Sequence, residues 1–322
     1  MDKRVLITGI DGQIGSYMAD FLLSKGYKIY GIVRYRTSQK LKNITHLQNK
    51  IEIIEGNILD VNFLNSTFKK IRPHYIFNFA SQSNVGASFY LTQETAEATG
   101  LSVLYVLDAI RNSGFNSKFW QASTSELFGN SSTTIQNEQT RFEPASVYAV
   151  SKLFGHHLVK IYRESYNMWA CCGILFNTES PRRGETFLTK KVVKHAVEIF
   201  KGKRDYIELG NLNSKRDWQS VHDVVEGICL QMNHKEPDEF VFASGKTHSV
   251  RDFVHKTFNA LGVSNYEHYI QINPAFLRPN DVNYLCGDAS KAKRILGWES
   301  KKTLDDIVEE MVEYELKKHE RT

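Results

Sequence analysis

Apolar residues in this chain gather in short continuous runs, and the stretches between them carry a helical repeat. Val5-Leu6-Ile7-Thr8 reads as a strand, and Ile14, Tyr17, Met18, Phe21 and Leu22 then share one helix face. Further strands are predicted at 29–33, 51–55, 75–79, 118–122 and 171–175. Between the fourth and fifth lies a helix carrying Leu101, Leu104, Tyr105, Asp108 and Ile110, and another covers Tyr148 to Tyr166. Buried strands alternating with helices predict a doubly wound α/β fold, a parallel sheet covered on both faces. After Asn177 the rhythm breaks. Ser180-Pro181-Arg182-Arg183-Gly184 reads as a loop, and Pro274, Pro279 and Gly287 punctuate another loop-rich stretch. From Thr303 a last amphipathic helix turns Leu304, Ile307, Val308 and Met311 inward. The expected division is a sheet domain over 1–177, with a segment near 211–243 returning to it. A smaller, discontinuous α/β domain would then comprise 178–210 and 244–322.

Composition narrows the function classes. The net charge of +5 is dispersed rather than striped, which argues against nucleic acid. It suits either anionic small molecules or mere solubility. Met1-Asp2-Lys3 runs directly into the first strand, leaving no room for a signal peptide. No apolar run reaches the roughly 18–20 residues of a membrane helix, so neither membrane insertion nor any site other than the cytoplasm is expected. Cys171, Cys172, Cys229 and Cys286 match no metal-ligand spacing and are expected to be reduced structural thiols, and no metal site is expected.

The segment Gly9-Ile10-Asp11-Gly12-Gln13-Ile14-Gly15 joins the first strand to the first helix. Gly9, Gly12 and Gly15 there allow a tight turn and close backbone approach to a pyrophosphate, with the helix N-terminus facing the anion. After the second strand come Arg34-Tyr35-Arg36-Thr37-Ser38, where an NAD site usually carries an acid. Arg34 and Arg36 suit a 2′-phosphate, which favours NADP, although a solvated basic loop would look the same.

Tyr148 and Lys152 lie one helical turn apart on one face. A free phenol has a pKa near ~10, and a neighbouring ammonium together with an oxidised nicotinamide would favour the phenolate. The fifth strand ends in Ser123-Thr124-Ser125-Glu126, at the edge where open parallel sheets bind ligands. Thr124 could orient a substrate hydroxyl toward Tyr148. Glu126 reads either as a second acid/base group or as a helix-starting carboxylate. A C4 epimerase or reductase acting on a nucleotide sugar would need Tyr148 and Lys152 but not Glu126. A non-catalytic NADP-binding regulator would be expected to lose part of the set.

These residues, with Gln121 to Gly129, Ser180 to Phe187, Leu209 to Leu212, Arg216-Asp217-Trp218 and His248 to Arg251, carry a resemblance over nearly the full length. The chain resembles the extended short-chain dehydrogenase/reductases, with their Rossmann nucleotide domain, and within them the GDP-mannose 4,6-dehydratases. The resemblance implies that Thr124, Ser125, Glu126, Tyr148 and Lys152 are catalytic. It implies cofactor contacts from Gln13, Ile14, Asn57, Ile58, Ala80 and Ser81, as well as from the glycines, arginines, Tyr148 and Lys152. Ser83, Asn177, Lys191, Arg216 and Arg278 would hold a GDP-sugar, although Arg216 and Arg278 also read as surface ion pairs. Arg183 and Glu185 would shape a loop used in homodimers or homotetramers. The implied reaction oxidises C4, with Tyr148 taking the hydroxyl proton. Glu126 then removes the C5 proton and helps water leave C6, hydride returns to C6 from the reduced cofactor and so regenerates it, and Tyr148 or solvent protonates C5. Ile14, Asn57, Asn84, Thr178, Gln219 and Ser220 depart from the family pattern, so a GDP-linked heptose or amino sugar stays open as the substrate.

Overall fold

The computed structural model describes residues 3–35 and 41–320. Its strands are β1 (Arg4–Thr8), β2 (Lys28–Val33), β3 (Glu52–Glu55), β4 (Tyr75–Asn78), β5 (Lys118–Thr124), β6 (Ala170–Leu175), β7 (Asn177–Glu179), β8 (Ile207–Leu209), β9 (Lys215–Ser220), β10 (Phe240–Phe242), β11 (Thr247–Ser249) and β12 (Ile270–Ile272). Its helices are α1 (Gln13–Ser24), α2 (Val61–Ile71), α3 (Thr92–Thr95), α4 (Ser102–Ser113), α5 (Val147–Tyr166), α6 (Leu188–Phe200), α7 (Val221–Asn233), α8 (Val250–Ala260), α9 (Ser290–Leu296) and α10 (Leu304–Glu320).

Seven strands form one sheet in the order β10-β6-β5-β4-β1-β2-β3, every pairing parallel. Parallel strands need crossovers, and these place helices on both faces. Residues of α1 and α7 cover one face against Val5, Ile7, Phe77 and Trp120. Residues of α2, α4 and α5 cover the other, against Leu6, Ile76 and Phe119. The adjacent Cys171 and Cys172 fall on opposite faces, as a strand requires, and all four thiols are free.

A second hydrophobic cluster joins α6, α8 and α10 with β8. Beside it stand a three-stranded sheet, β11-β9-β7, and the pair β12-β8. The partition is finer than the expected one. Within 211–243 only α7 and β10 reach the large sheet, whereas β9 pairs with β7 and β11. Ala292 and Trp298, late in the chain, pack back on the first core.

Two local features depart from the sequence pattern. Residues Ala96–Leu101 wind as a π-helical segment between α3 and α4. The extra residue in that turn rotates α4 about its axis. Val103, Val106, Leu107 and Ile110 are therefore buried, while Leu101, Leu104, Tyr105 and Asp108 are only half-buried. In α10 the expected apolar face is buried, but so is Glu315, whose carboxylate meets the buried Lys190 Nζ at 2.7 Å.

Beyond β5 the chain makes a short 3₁₀ turn, Ser125–Phe128, and leaves it at Gly129 with φ +55° and ψ −135°. A Cβ at Gly129 would overlap the Glu143 carbonyl oxygen. Only glycine combines this dihedral with so close a backbone. Gly129→Ala is therefore expected to destabilise the fold by about 2 kcal/mol or more. Thermal unfolding should register this as a Tm lower by about 3 °C or more. An unchanged melt would mean that the 142–145 segment yields freely.

Candidate active site

The carboxyl ends of β1, β4, β5 and β6 open on a cleft of about 630 Å³, whose far wall comes from α6, β8 and the 276–281 loop. Gly9, Gly12, Gln13, Ile14, Gly15, Ala80, Ser81, Ser83, Thr124, Ser125, Glu126, Tyr148, Lys152, Asn177, Lys191, Arg216 and Arg278 all line it. Glu126 therefore shares a cavity with Tyr148. The turn Ser125–Phe128 places it there, with Thr124 Oγ1 accepting the Glu126 N–H at 3.2 Å.

At the head of α1, Gly9 has φ +65°, and a Cβ on it would lie 2.8 Å from the Ala80 nitrogen. A Cβ on Gly15 would run into the Gly9 carbonyl. The helix begins at Gly12, whose lack of a side chain leaves the first turn without a side-chain cap, and Gly12, Gln13, Ile14 and Gly15 line the cleft. Such a bare cradle fits a pyrophosphate. Arg34 follows β2 as expected but lies outside the cleft lining, exposed and 3.3 Å from Glu94. Asn57 and Ile58 also lie beyond the lining. The Asn57 side chain accepts the Leu59 N–H, and Ile58 packs on the sheet core. Arg36 lies outside the described residues.

The electrostatics of the reactive pair differ from the sequence expectation. Burial pushes the Tyr148 phenol up to about 12; the hydrogen bond with Thr124 lowers it, the Glu126 charge raises it and Arg183 lowers it. Burial brings the Lys152 ammonium down to about 8, with a small opposing contribution from Cys172. Lys152 Nζ donates to the Ala122 carbonyl at 2.9 Å and lies 5.8 Å from the Tyr148 ring centroid. In the free protein, then, the ammonium does not offset the cost of a buried phenolate. Desolvation wins.

Across the cleft, Arg216 and Arg278 share one carboxylate, Asp281, at 3.4 and 3.5 Å. Arg278 also reaches Glu126 at 3.9 Å. Arg216 is 7% exposed, so it is not a surface ion pair. Lys191 Nζ lies 3.5 Å from the Phe276 ring centroid, and burial lowers its pKa. Sequence reasoning missed Asp281, although an acid three residues after Arg278 was a signal. It assigned Arg183 to a loop, yet Arg183 lines the cleft, its guanidinium 3.9 Å over Phe187 and its Nε 3.4 Å from Glu179. Glu185, its expected companion, pairs with Lys194 at 2.9 Å.

Ultraviolet titration of the protein, minus that of Tyr148→Phe, should show one phenol ionising near pH 12. A midpoint near ~10, the ordinary phenol value, would mean that burial does not control this group.

The family model described as GDP-mannose 4,6 dehydratase matches residues 6–311. GDP-mannose 4,6 dehydratase of Drosophila melanogaster is 42% identical over 341 aligned positions, spanning 98% of this chain and 86% of that protein. Among solved structures, dTDP-glucose 4,6-dehydratase from Bacillus anthracis in complex with NAD superposes with TM-score 0.86 at 22% identity, covering 99% of this chain and 98% of that one. RMD from Pseudomonas aeruginosa complexed with NADPH gives TM-score 0.81 at 18% identity, covering 98% and 99%.

Proposed function

The chain belongs to the GDP-mannose 4,6-dehydratase family, and from that premise we propose that it converts GDP-mannose to GDP-4-keto-6-deoxymannose. The observation that carries this reading is Glu126 in one cleft with Tyr148 and Lys152. Oxidation at C4 alone would leave that carboxylate without a task.

We further propose that the dinucleotide is NADP. Arg34 stands after β2 where an acid would favour NAD, and the cradle at Gly9, Gly12 and Gly15 fits the pyrophosphate. Held at Gly9, Gly12 and Gly15, the dinucleotide would supply a reversible hydride acceptor between C4 and C6. The residues of the chain supply the proton chemistry around those transfers. Thr124 holds the C4 hydroxyl toward Tyr148, whose phenolate takes its proton. Lys152, still mostly protonated at neutral pH, supplies positive charge near that phenolate. The ketone formed at C4 acidifies the hydrogen on C5. Glu126 takes that proton and then delivers it to the departing C6 hydroxyl, so a single carboxylate serves both halves of the elimination, and the proton held by Tyr148, or one from solvent, restores C5 as C6 is reduced. Asn177, Lys191, Arg216 and Arg278 offer amide and cationic donors to GDP. The diphosphate would displace Asp281 from the two arginines rather than enter an empty cationic pocket. For assembly we propose a homodimer or homotetramer. The exposed stripe Val150, Phe154 and Ile161 on α5 is apolar surface that a second copy would cover.

With NADP present, the purified protein should yield a product lighter than GDP-mannose by one water, without net NADPH. Glu126→Gln should slow that loss by on the order of 10²–10⁴-fold while leaving NADP binding intact. Mass spectrometry of the product across a GDP-sugar panel measures both. If Glu126→Gln dehydrates at the parent rate, the role given to Glu126 is wrong. Water loss from a different GDP-sugar alone would move the substrate and keep the chemistry.

A further inference from the structure

The last residue of β1, the last of β4 and a central residue of β5 stand in one row across the sheet: Thr8 is paired with Asn78 and Asn78 with Gln121. All three are polar and buried at the middle or end of their strands, and none is more than 2% exposed. Their side chains form a hydrogen-bonded chain in which every donor points the same way. The Ala80 N–H donates to Thr8 Oγ1 at 3.1 Å, and the Thr8 hydroxyl donates to Asn78 Oδ1 at 2.5 Å. Asn78 Nδ2 donates to Gln121 Oε1 at 2.7 Å, and Gln121 Nε2 donates to the Ala122 carbonyl at 3.0 Å. That carbonyl oxygen also receives Lys152 Nζ.

We propose that Gln121, held by Asn78 and Thr8, is a positioning residue for Lys152 and couples it to the cofactor cradle. The inference rests on reading Tyr148 and Lys152 as the oxidising pair. β4 stops at Asn78, so β5 beyond Gln121 has a ladder neighbour only in β6. The Ala122 carbonyl then has β6 on one side and no strand on the other, and the lysine stem, with four rotatable bonds, does not fix its own approach to it. A carbonyl oxygen has two lone pairs. Gln121 occupies one, which fixes the direction from which Nζ can approach the other. The far end of the chain is Ala80, whose nitrogen faces Gly9 across the close contact that excludes a Cβ there. One row of side chains therefore fixes the glycine turn and the ammonium in a common frame. Aligned donors also polarise one another, so the links strengthen together.

Gln121→Met keeps the volume and removes the amide, Thr8→Val breaks the far link, and Thr257→Val is a buried control in α8 of the second core. In Gln121→Met, kcat for GDP-mannose is expected to fall by on the order of tenfold or more, because small displacements of a catalytic group are costly. KM is expected to stay within about twofold, since uniform binding is untouched. The ζ-nitrogen NMR signal of Lys152, assigned with Lys152→Arg, should shift or broaden in Gln121→Met and Thr8→Val but not in Thr257→Val. An unchanged signal in both relay variants overturns the proposal, as does equal loss of kcat in the control. The signal needs no turnover. A protein that dehydrates no GDP-sugar would refute the functional reading and still leave this one testable. If Gln121→Met does not fold, Thr8→Val with the same two measurements decides.

Discussion

An ionisable group sealed at the end of a parallel sheet resists its charged form, and the site of this protein is arranged around two of them. Tyr148 and Lys152 are 8% and 5% exposed, on the face of α5 that meets β5. Burial drives the phenol up and the ammonium down, so the pair in the free protein is neutral phenol beside a weakened cation. If Tyr148 is the base proposed above, a positive charge entering the cleft would favour its ionised form, and the same burial would leave that charge little screened by water.

Much of the scaffold could be read from the chain, and the reason is periodicity. Strands buried on both faces are continuous apolar runs, and each crossover helix has one face to hide. Thr8-Gly9 through Gly15 could be read because its constraint is local: backbone packed against backbone leaves no room for side chains. Tyr148 and Lys152 could be set together because one helical turn separates them, and Glu126 because it follows a strand whose carboxyl end is where parallel sheets gather ligands.

The features that could not be read have the opposite character. The sheet β11-β9-β7 is built from three short, largely polar strands, which carry no period long enough to recognise. The π-helical segment at Ala96–Leu101 shifts the phase of a helix without altering its composition. Glu315 looked like a solvated residue of an amphipathic helix, but it is buried against Lys190, 125 positions earlier, with Lys318 of its own helix on its other oxygen. Arg183 and Asp281 owe their places in the cleft to folding between distant segments. Periodicity has nothing to say about such pairs.

The cleft also shows why charge alone would have been a poor guide. Its cationic wall is already balanced: Arg216 and Arg278 lean on Asp281, and Arg278 also touches the field of Glu126. A buried guanidinium without a partner would be costly to keep, and Arg216 at 7% exposure is close to that limit. Asp281 lets the folded protein hold both arginines aimed inward before any ligand arrives. On the proposed reading, a diphosphate would compete with Asp281 for those donors, and Asp281 is held on its other oxygen by Ser214 at 3.0 Å. The arginines and the phenol answer one constraint in two ways: a buried charge is kept with a partner, as Arg216 is with Asp281, or is not formed, as at Tyr148.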